Sequence, residues 1–157
     1  MKITLIQTGK TSSDYILKGV DDYASRIRKY TGFEIATVPD LRNTRNMPPD
    51  EQKEKEGRGI IRLLNNDDYV ITLDESGKSW STLDFAANLQ KIFMLSKKRV
   101  VFITGGPWGV SDEVRKKSGL VLSLSRMTFS HQLVRLLFAE QLYRILTVMN
   151  GDPYHHE

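Results

Sequence analysis

Short, β-branched apolar runs alternate along this chain with longer segments whose apolar residues recur at helical spacing, and that alternation restricts the fold more than any other feature. Strands are expected at residues 2–9, 33–40, 68–75, 99–104 and 120–124. Between them, residues 12–30 read as a helix with Ile16, Val20, Tyr23, Ala24 and Ile27 on one face. Residues 51–66 read as a helix weakened by Gly57 and Gly59, and residues 83–95 as a third. A short helix through Val114 to Lys117 and a final one over 132–149 follow. Helical crossovers between successive strands predict an α/β domain with a mostly parallel sheet. Ser12 or Ser13, Ser81 with Asp84 three residues on, and Ser111 are placed to accept amide protons that a first helical turn leaves unpaired. Ser76, Gly77 and Lys78 read as a turn that ends the third strand.

With 157 residues, 39% apolar and 27% charged, the chain fits one domain over 1–157, without repeat or linker. No apolar run approaches the roughly 20 residues that span a bilayer, and the apolar part of MKITLIQTGK is short for a secretory signal. A soluble, cytoplasmic protein with no membrane partner is expected. The absence of Cys excludes disulfides, thiolate nucleophiles and Cys-ligated metal. Three histidines, His131, His155 and His156, without H-E-x-x-H spacing, predict no metal site. The net charge of +4 leans mildly toward polyanionic partners, with Lys53, Lys55, Arg58 and Arg62 as a candidate RNA-binding patch.

In parallel sheets ligands sit beyond the carboxyl ends of the strands. The segments there are residues 73–77, 104–109 and 124–129, the second carrying Gly105, Gly106 and Gly109. Bare glycine backbone permits a sharp turn and close ligand approach, so a branched side chain at Gly105 is expected to occupy ligand space. G-x-G-x-x-G and G-x-x-x-x-G-K-[ST] are both absent, which disfavours a dinucleotide fold and a P-loop. The final helix is apolar around most of its circumference, so a second copy is expected to cover the face turned away from the sheet. Arg135, Glu140, Gln141 and Arg144 are embedded in it, the Glu140 and Arg144 pair at i, i+4 spacing.

The segments ITLDESGKSW, FITGGPWGV, LSLSRMTFSHQLVRLLFAEQLYRI and GDPYHHE, in this order and at these separations, resemble the SPOUT-family methyltransferases of the H type. The resemblance covers essentially the whole chain. It implies a SPOUT-type α/β knot fold, with a carboxy-terminal trefoil knot that periodicity does not reveal. It also implies a homodimer that uses S-adenosylmethionine to methylate N3 of a pseudouridine in 23S ribosomal RNA, within the large subunit or the intact ribosome. By position it assigns cofactor contacts to Leu73, Gly105, Leu124, Ser125, Arg126, Met127, Thr128 and Phe129, and the RNA side to His131, Glu140, Arg144, Tyr154 and His155. His131 or Glu140 would be the base and Arg144 would stabilise charge on the uracil oxygens; no metal is implied. The tail, Tyr154 to Glu157, is expected to complete the site of the neighbouring subunit. Ser130 stands where relatives often have proline, and His156 where an arginine is common. The alternatives are a non-catalytic, ribosome-associated RNA-binding factor and an enzyme that uses another nucleotide-like small molecule at the same sheet edge, and S-adenosylmethionine binding distinguishes both.

Overall fold

The carboxyl edge of the sheet is built by five parallel strands in a computed structural model that describes all 157 residues. The strands are β1 (Lys2–Thr8), β2 (Phe33–Val38), β3 (Asp68–Ser79), β4 (Arg99–Thr104) and β5 (Leu120–Ser123), in the order β2-β1-β4-β3-β5. The helices are α1 (Asp14–Ile27), α2 (Pro49–Arg62), α3 (Thr82–Phe93), α4 (Asp112–Lys117) and α5 (Leu133–Met149).

Strand side chains alternate between two cores, as the period of two demands. Val100 and Phe102 of β4 join the larger core with Ile3, Leu5, Ile71 and the buried faces of α1, α3 and α5. Val101 and Ile103 join the smaller one with Ile6, Val70, Ile60 of α2 and Val114 of α4. Three helices therefore cover one face of the sheet and two the other. No helix is long and apolar enough to cross a membrane.

Four local expectations change. Ser76, Gly77 and Lys78 do not end β3; the strand continues to Ser79, with a register irregularity between Leu73 and Lys78, both of which pair with Leu122. Gly77 lies flat against β5, where a Cβ would come within 2.6 Å of the Val121 carbonyl. Ser13 is the N-cap of α1 but its hydroxyl accepts no bond, whereas Ser81 and Ser111 accept from Asp84 and Val114 amides. Gly57 and Gly59 mark close approach, since added Cβ atoms would meet Ser111 Oγ at 2.3 Å and Val38 Cγ1 at 2.6 Å. Finally, α5 packs on both α1 and α3, so much of its apolar circumference is covered by its own neighbours. Leu133, Leu136 and Leu137 of the same helix remain partly exposed.

The cap contrast gives a direct test. Ser81→Ala is expected to cost about 1 kcal/mol, lowering the melting temperature by roughly 2–4 °C, with Ser13→Ala close to neutral in the same thermal denaturation.

Candidate active site

Three segments meet at one cleft of about 290 Å³: the irregular stretch inside β3 and the loops that follow β4 and β5. Leu73, Asp74 and Glu75 come from the first, Gly105 to Gly109 from the second, and Leu124, Ser125, Met127, Thr128 and Phe129 from the third. His131 and Val134 close it from the start of α5. Of the eight positions expected to touch a cofactor, only Arg126 is outside this lining; it is exposed on the same loop.

Each wall is held by a specific contact. The glycine turn closes through the Gly109 amide donating to the Gly106 carbonyl at 3.1 Å, and Gly109 adopts a φ of +84°, where glycine is favoured. Thr128 Oγ1 donates to Glu75 Oε2 at 2.6 Å, joining the irregular stretch of β3 to the loop after β5. Ser123 Oγ donates to the Ser125 carbonyl and Ser125 Oγ accepts the Met127 amide, which shapes that loop. Burial raises the Asp74 carboxyl, but bonds from the Ser76 hydroxyl and amide and from Arg115 outweigh it and hold Asp74 below the usual range. Arg115 approaches Asp74 at 2.7 Å.

The cleft suits a cofactor of mixed character. Leu73, Leu124, Met127, Phe129 and Val134 offer apolar walls, the glycine turn offers bare backbone, and Asp74 and Glu75 supply negative charge. Buried hydroxyls of Thr8 and Thr104, at the ends of β1 and β4, have no hydrogen-bond partner. No group of three or more His, Asp or Glu side chains is arranged to hold a metal ion.

The five residues expected on the RNA side divide into two places. His131 lines the cleft. Glu140, Arg144, Tyr154 and His155 form a separate cluster along α5 and the tail. Arg144 donates from Nε at 3.0 Å and from NH2 at 2.5 Å to Glu140 Oε1, which also accepts the Tyr154 hydroxyl at 3.3 Å. Gln141 Nε2 donates to Glu140 Oε2. Arg144 lies 4.8 Å over the Tyr154 ring and NH1 meets His155 Nδ1 at 3.3 Å; since guanidinium only donates, that nitrogen accepts. Contact with Tyr23, then burial and the Glu140 charge, push the Tyr154 hydroxyl up to about 12, so it serves as a donor near neutrality. The tail thus docks on α5 of its own chain, and Tyr30 anchors it further through a 2.5 Å bond to Asp152. A second cavity of about 370 Å³ shares Leu124, Ser125 and Phe129 with the cleft and has Glu140 and Gln141 in its wall.

Several participants escape a reading by motif. Trp108 lines the cleft about half exposed, and its Nε1 donates to Gln52 Oε1 at 3.3 Å. Gln52 Nε2 in turn donates to Glu56 Oε1 at 2.9 Å. Glu56 is buried against the glycine turn, its Oε2 unpartnered where a Cβ on Gly106 would approach to 2.4 Å. A tryptophan inside a glycine turn was the available sign; Glu56 gave none. The expected patch on α2 is partly neutralised, because Lys53 pairs with Asp50 and Lys55 with Glu51. Ser130 Oγ accepts the Leu133 amide at 3.1 Å, a bond that proline at this position would forfeit.

Glu56 makes a pH prediction. Burial pushes its carboxyl up, opposed by Gln52 and reinforced by Asp40. A carboxyl raised in the folded state holds its proton more tightly there, so its stability penalty grows as pH rises from the ordinary value of 4.5 through the raised one. Glu56→Gln is expected to melt a few degrees higher than wild type at pH 8, and the gap should close toward pH 4.5; scanning calorimetry across that range checks both.

A parallel α/β sheet whose carboxyl edge converges glycine, acidic and apolar loops on one small-molecule cleft defines a ligand-binding α/β protein of enzymatic type. The family model described as "Predicted SPOUT methyltransferase" matches residues 1–155. A ribosomal RNA large subunit methyltransferase H of Parabacteroides distasonis is 45% identical over 157 residues, covering all of both chains. One from Christiangramia forsetii is 44% identical over 156 residues, covering 99% of each. Among solved structures, tRNA (m1G37) methyltransferase from Aquifex aeolicus superposes with a TM-score of 0.57 at 16% identity, over 100% of this chain and 76% of that one. A probable methyltransferase from Bordetella pertussis gives 0.57 at 12% identity, over 92% and 96%. Those two likenesses concern the fold. The chain belongs to the SPOUT methyltransferase family.

Proposed function

We propose that this chain is a ribosomal RNA methyltransferase that moves a methyl group from S-adenosylmethionine to N3 of a pseudouridine in 23S ribosomal RNA. On this reading it works in the cytoplasm as a homodimer, on the large subunit or the intact ribosome. Full-length similarity to large-subunit methyltransferases supports the RNA class. The observation that carries the site is the convergence of Leu73, Gly105, Leu124, Ser125, Met127, Thr128 and Phe129 on one cleft with His131 at its edge. The family's trefoil knot is consistent with a β5 that pairs with β3 on both sides of the irregularity after Leu73.

When bound, S-adenosylmethionine supplies a sulfonium methyl already activated for attack by a ring nitrogen. The protein's task is then alignment, exclusion of water and management of one proton. The apolar walls and the glycine turn would hold the donor, and the Glu75 carboxylate, beside an Asp74 already paired with Arg115, would favour its positive charge. Glu140 is engaged by Arg144, Gln141 and Tyr154, so its role is to fix Arg144, which keeps further N–H groups to donate to RNA, against the Tyr154 ring. Because this cluster stands apart from its own chain's cleft lining, a two-fold partner is the natural recipient, with tail and α5 presented together.

Mixing two variants that are each inactive at limiting cofactor tests that arrangement. Gly105→Val retains the tail cluster, and a chain truncated after Asp152 retains the cleft. Heterodimers are expected to regain one working site, about half of wild-type activity per dimer; verified heterodimers that stay inactive contradict the shared site.

A further inference from the structure

The cleft histidine carries more information than its position, because its neighbours determine which ring nitrogen holds a proton. Gln132, just before α5, reaches back to the segment after β1. Its Oε1 accepts the Ser12 amide at 2.9 Å, and its Nε2 donates to the Lys10 carbonyl at 3.1 Å. A backbone amide only donates and a carbonyl only accepts, so these two contacts fix which end of the Gln132 amide is nitrogen. That same nitrogen lies 3.4 Å from His131 Nε2. An amide NH2 has two protons and nothing to accept with. One proton goes to Lys10 and the other faces the ring, so Nε2 is the bare, accepting nitrogen. The ring proton is then on Nδ1, which has no hydrogen-bond partner in the protein while the residue lines the cleft.

The surrounding charges favour the same state. Arg135, four residues on, is completely buried, with NH1 donating to Thr11 Oγ1 at 2.9 Å and NH2 to the Thr8 carbonyl at 2.5 Å. Burial first, and the Arg135 charge second, lower the His131 ring below its ordinary value, against a weaker pull from Asp40. Asp40 is the one carboxylate whose charge opposes both shifts, and burial outweighs it at each group.

We propose that His131 acts in its neutral form as a hydrogen-bond donor, through Nδ1–H, to a carbonyl oxygen of the acceptor base, with Gln132 as the positioning residue that holds this tautomer. The inference rests on the methyl-transfer reading of the cleft. Removing the N3 proton from a uracil-type base leaves negative charge shared with the carbonyl oxygens beside it, and a fixed donor there stabilises the attacking form. In this role His131 neither takes nor gives a proton. The N3 proton leaves to water, and the ring offers no lone pair to the cleft, which removes His131 as general base.

Nitrogen-15 spectra of the histidine rings in the full-length protein at pH 7.5, without substrate, test the assignment, with His131→Asn identifying the signals. The expected result is a protonated Nδ1 and an unprotonated Nε2. Gln132→Glu replaces the donor facing Nε2 with an acceptor and is expected to move the proton to Nε2. An Nε2–H tautomer or an imidazolium in the wild type overturns the proposal, as does a tautomer indifferent to Gln132→Glu. For the donor role, His131→Asn places an amide donor near Nδ1 and is expected to keep kcat within about tenfold, whereas His131→Gln places it near Nε2 and loses about 100-fold or more. Equal or reversed losses overturn the donor role. Inactivity of the wild type toward ribosomes overturns the methyl-transfer reading itself, and the spectra, which need no substrate, separate that failure from a wrong tautomer.

Discussion

Gly105→Val is expected to lower the affinity for S-adenosylmethionine by about ten- to a hundredfold while the sheet and both cores stay assembled. A Cβ at this position would stand 2.5 Å from the Gly109 carbonyl carbon, 2.6 Å from its oxygen and 2.9 Å from its Cα. All three atoms are backbone, so the turn itself must open. Overpacking of this kind costs about 1–3 kcal/mol, and each 1.4 kcal/mol is a decade in affinity. The physical cause differs from the one suggested by the sequence. The side chain strikes the far arm of the glycine turn, and the cofactor loses the shape of its wall instead of being displaced by a methyl group. Titration calorimetry beside circular dichroism checks the variant; unchanged affinity in a folded protein removes the turn from the site.

Arg135→Ala is expected to destabilise the fold by about 2–5 kcal/mol, lowering the melting temperature by roughly 4–20 °C. The side chain is fully buried, and its loss leaves the Thr8 carbonyl and Thr11 hydroxyl without their donor and opens a cavity. Against this, a desolvated cation with an unpartnered Nε is no longer buried, so the net cost is less than the sum of the lost contacts. Arg135→Met, which keeps most of the volume, is expected to be the milder change. Scanning calorimetry decides, and a melting point unchanged by Arg135→Ala contradicts the structural role given to this arginine.

Sequence periodicity located all five strands, though it ended β3 four residues early, because their alternate residues enter opposite cores, as Val100 to Ile103 illustrate. The caps at Ser81 and Ser111 were legible for an equally local reason. Gly77 was misread because glycine signals equally a chain reversal and a strand lying flat on its neighbour, and only the approach of Val121 distinguishes the two. The final helix posed the same difficulty on a larger scale. An apolar circumference does not say whether α1 and α3 or a second molecule will cover it. The cleft was foreseeable from topology, since the loops leaving β4 and β5 and the irregular stretch of β3 between them meet at the carboxyl edge. Its supports were not, because Gln132 to Lys10 and Trp108 to Gln52 join residues far apart in the chain. Arg135 was the least accessible: a charged residue on a helix ordinarily faces water, and nothing local announces that Thr8 and Thr11 will receive it.

The most direct measurement starts with ribosomes from a strain that lacks this protein, incubated with the purified chain and S-adenosylmethionine, followed by mass spectrometry of the 23S nucleosides. The account predicts that N3-methylpseudouridine appears, that Gly105→Val abolishes it at limiting cofactor, and that naked 23S RNA at matched salt yields far less, because a compact domain of net charge +4 borrows recognition from the assembled particle. Ribosomes that gain no methyl group from a chain shown to bind S-adenosylmethionine, or that gain it on another nucleoside, contradict the account.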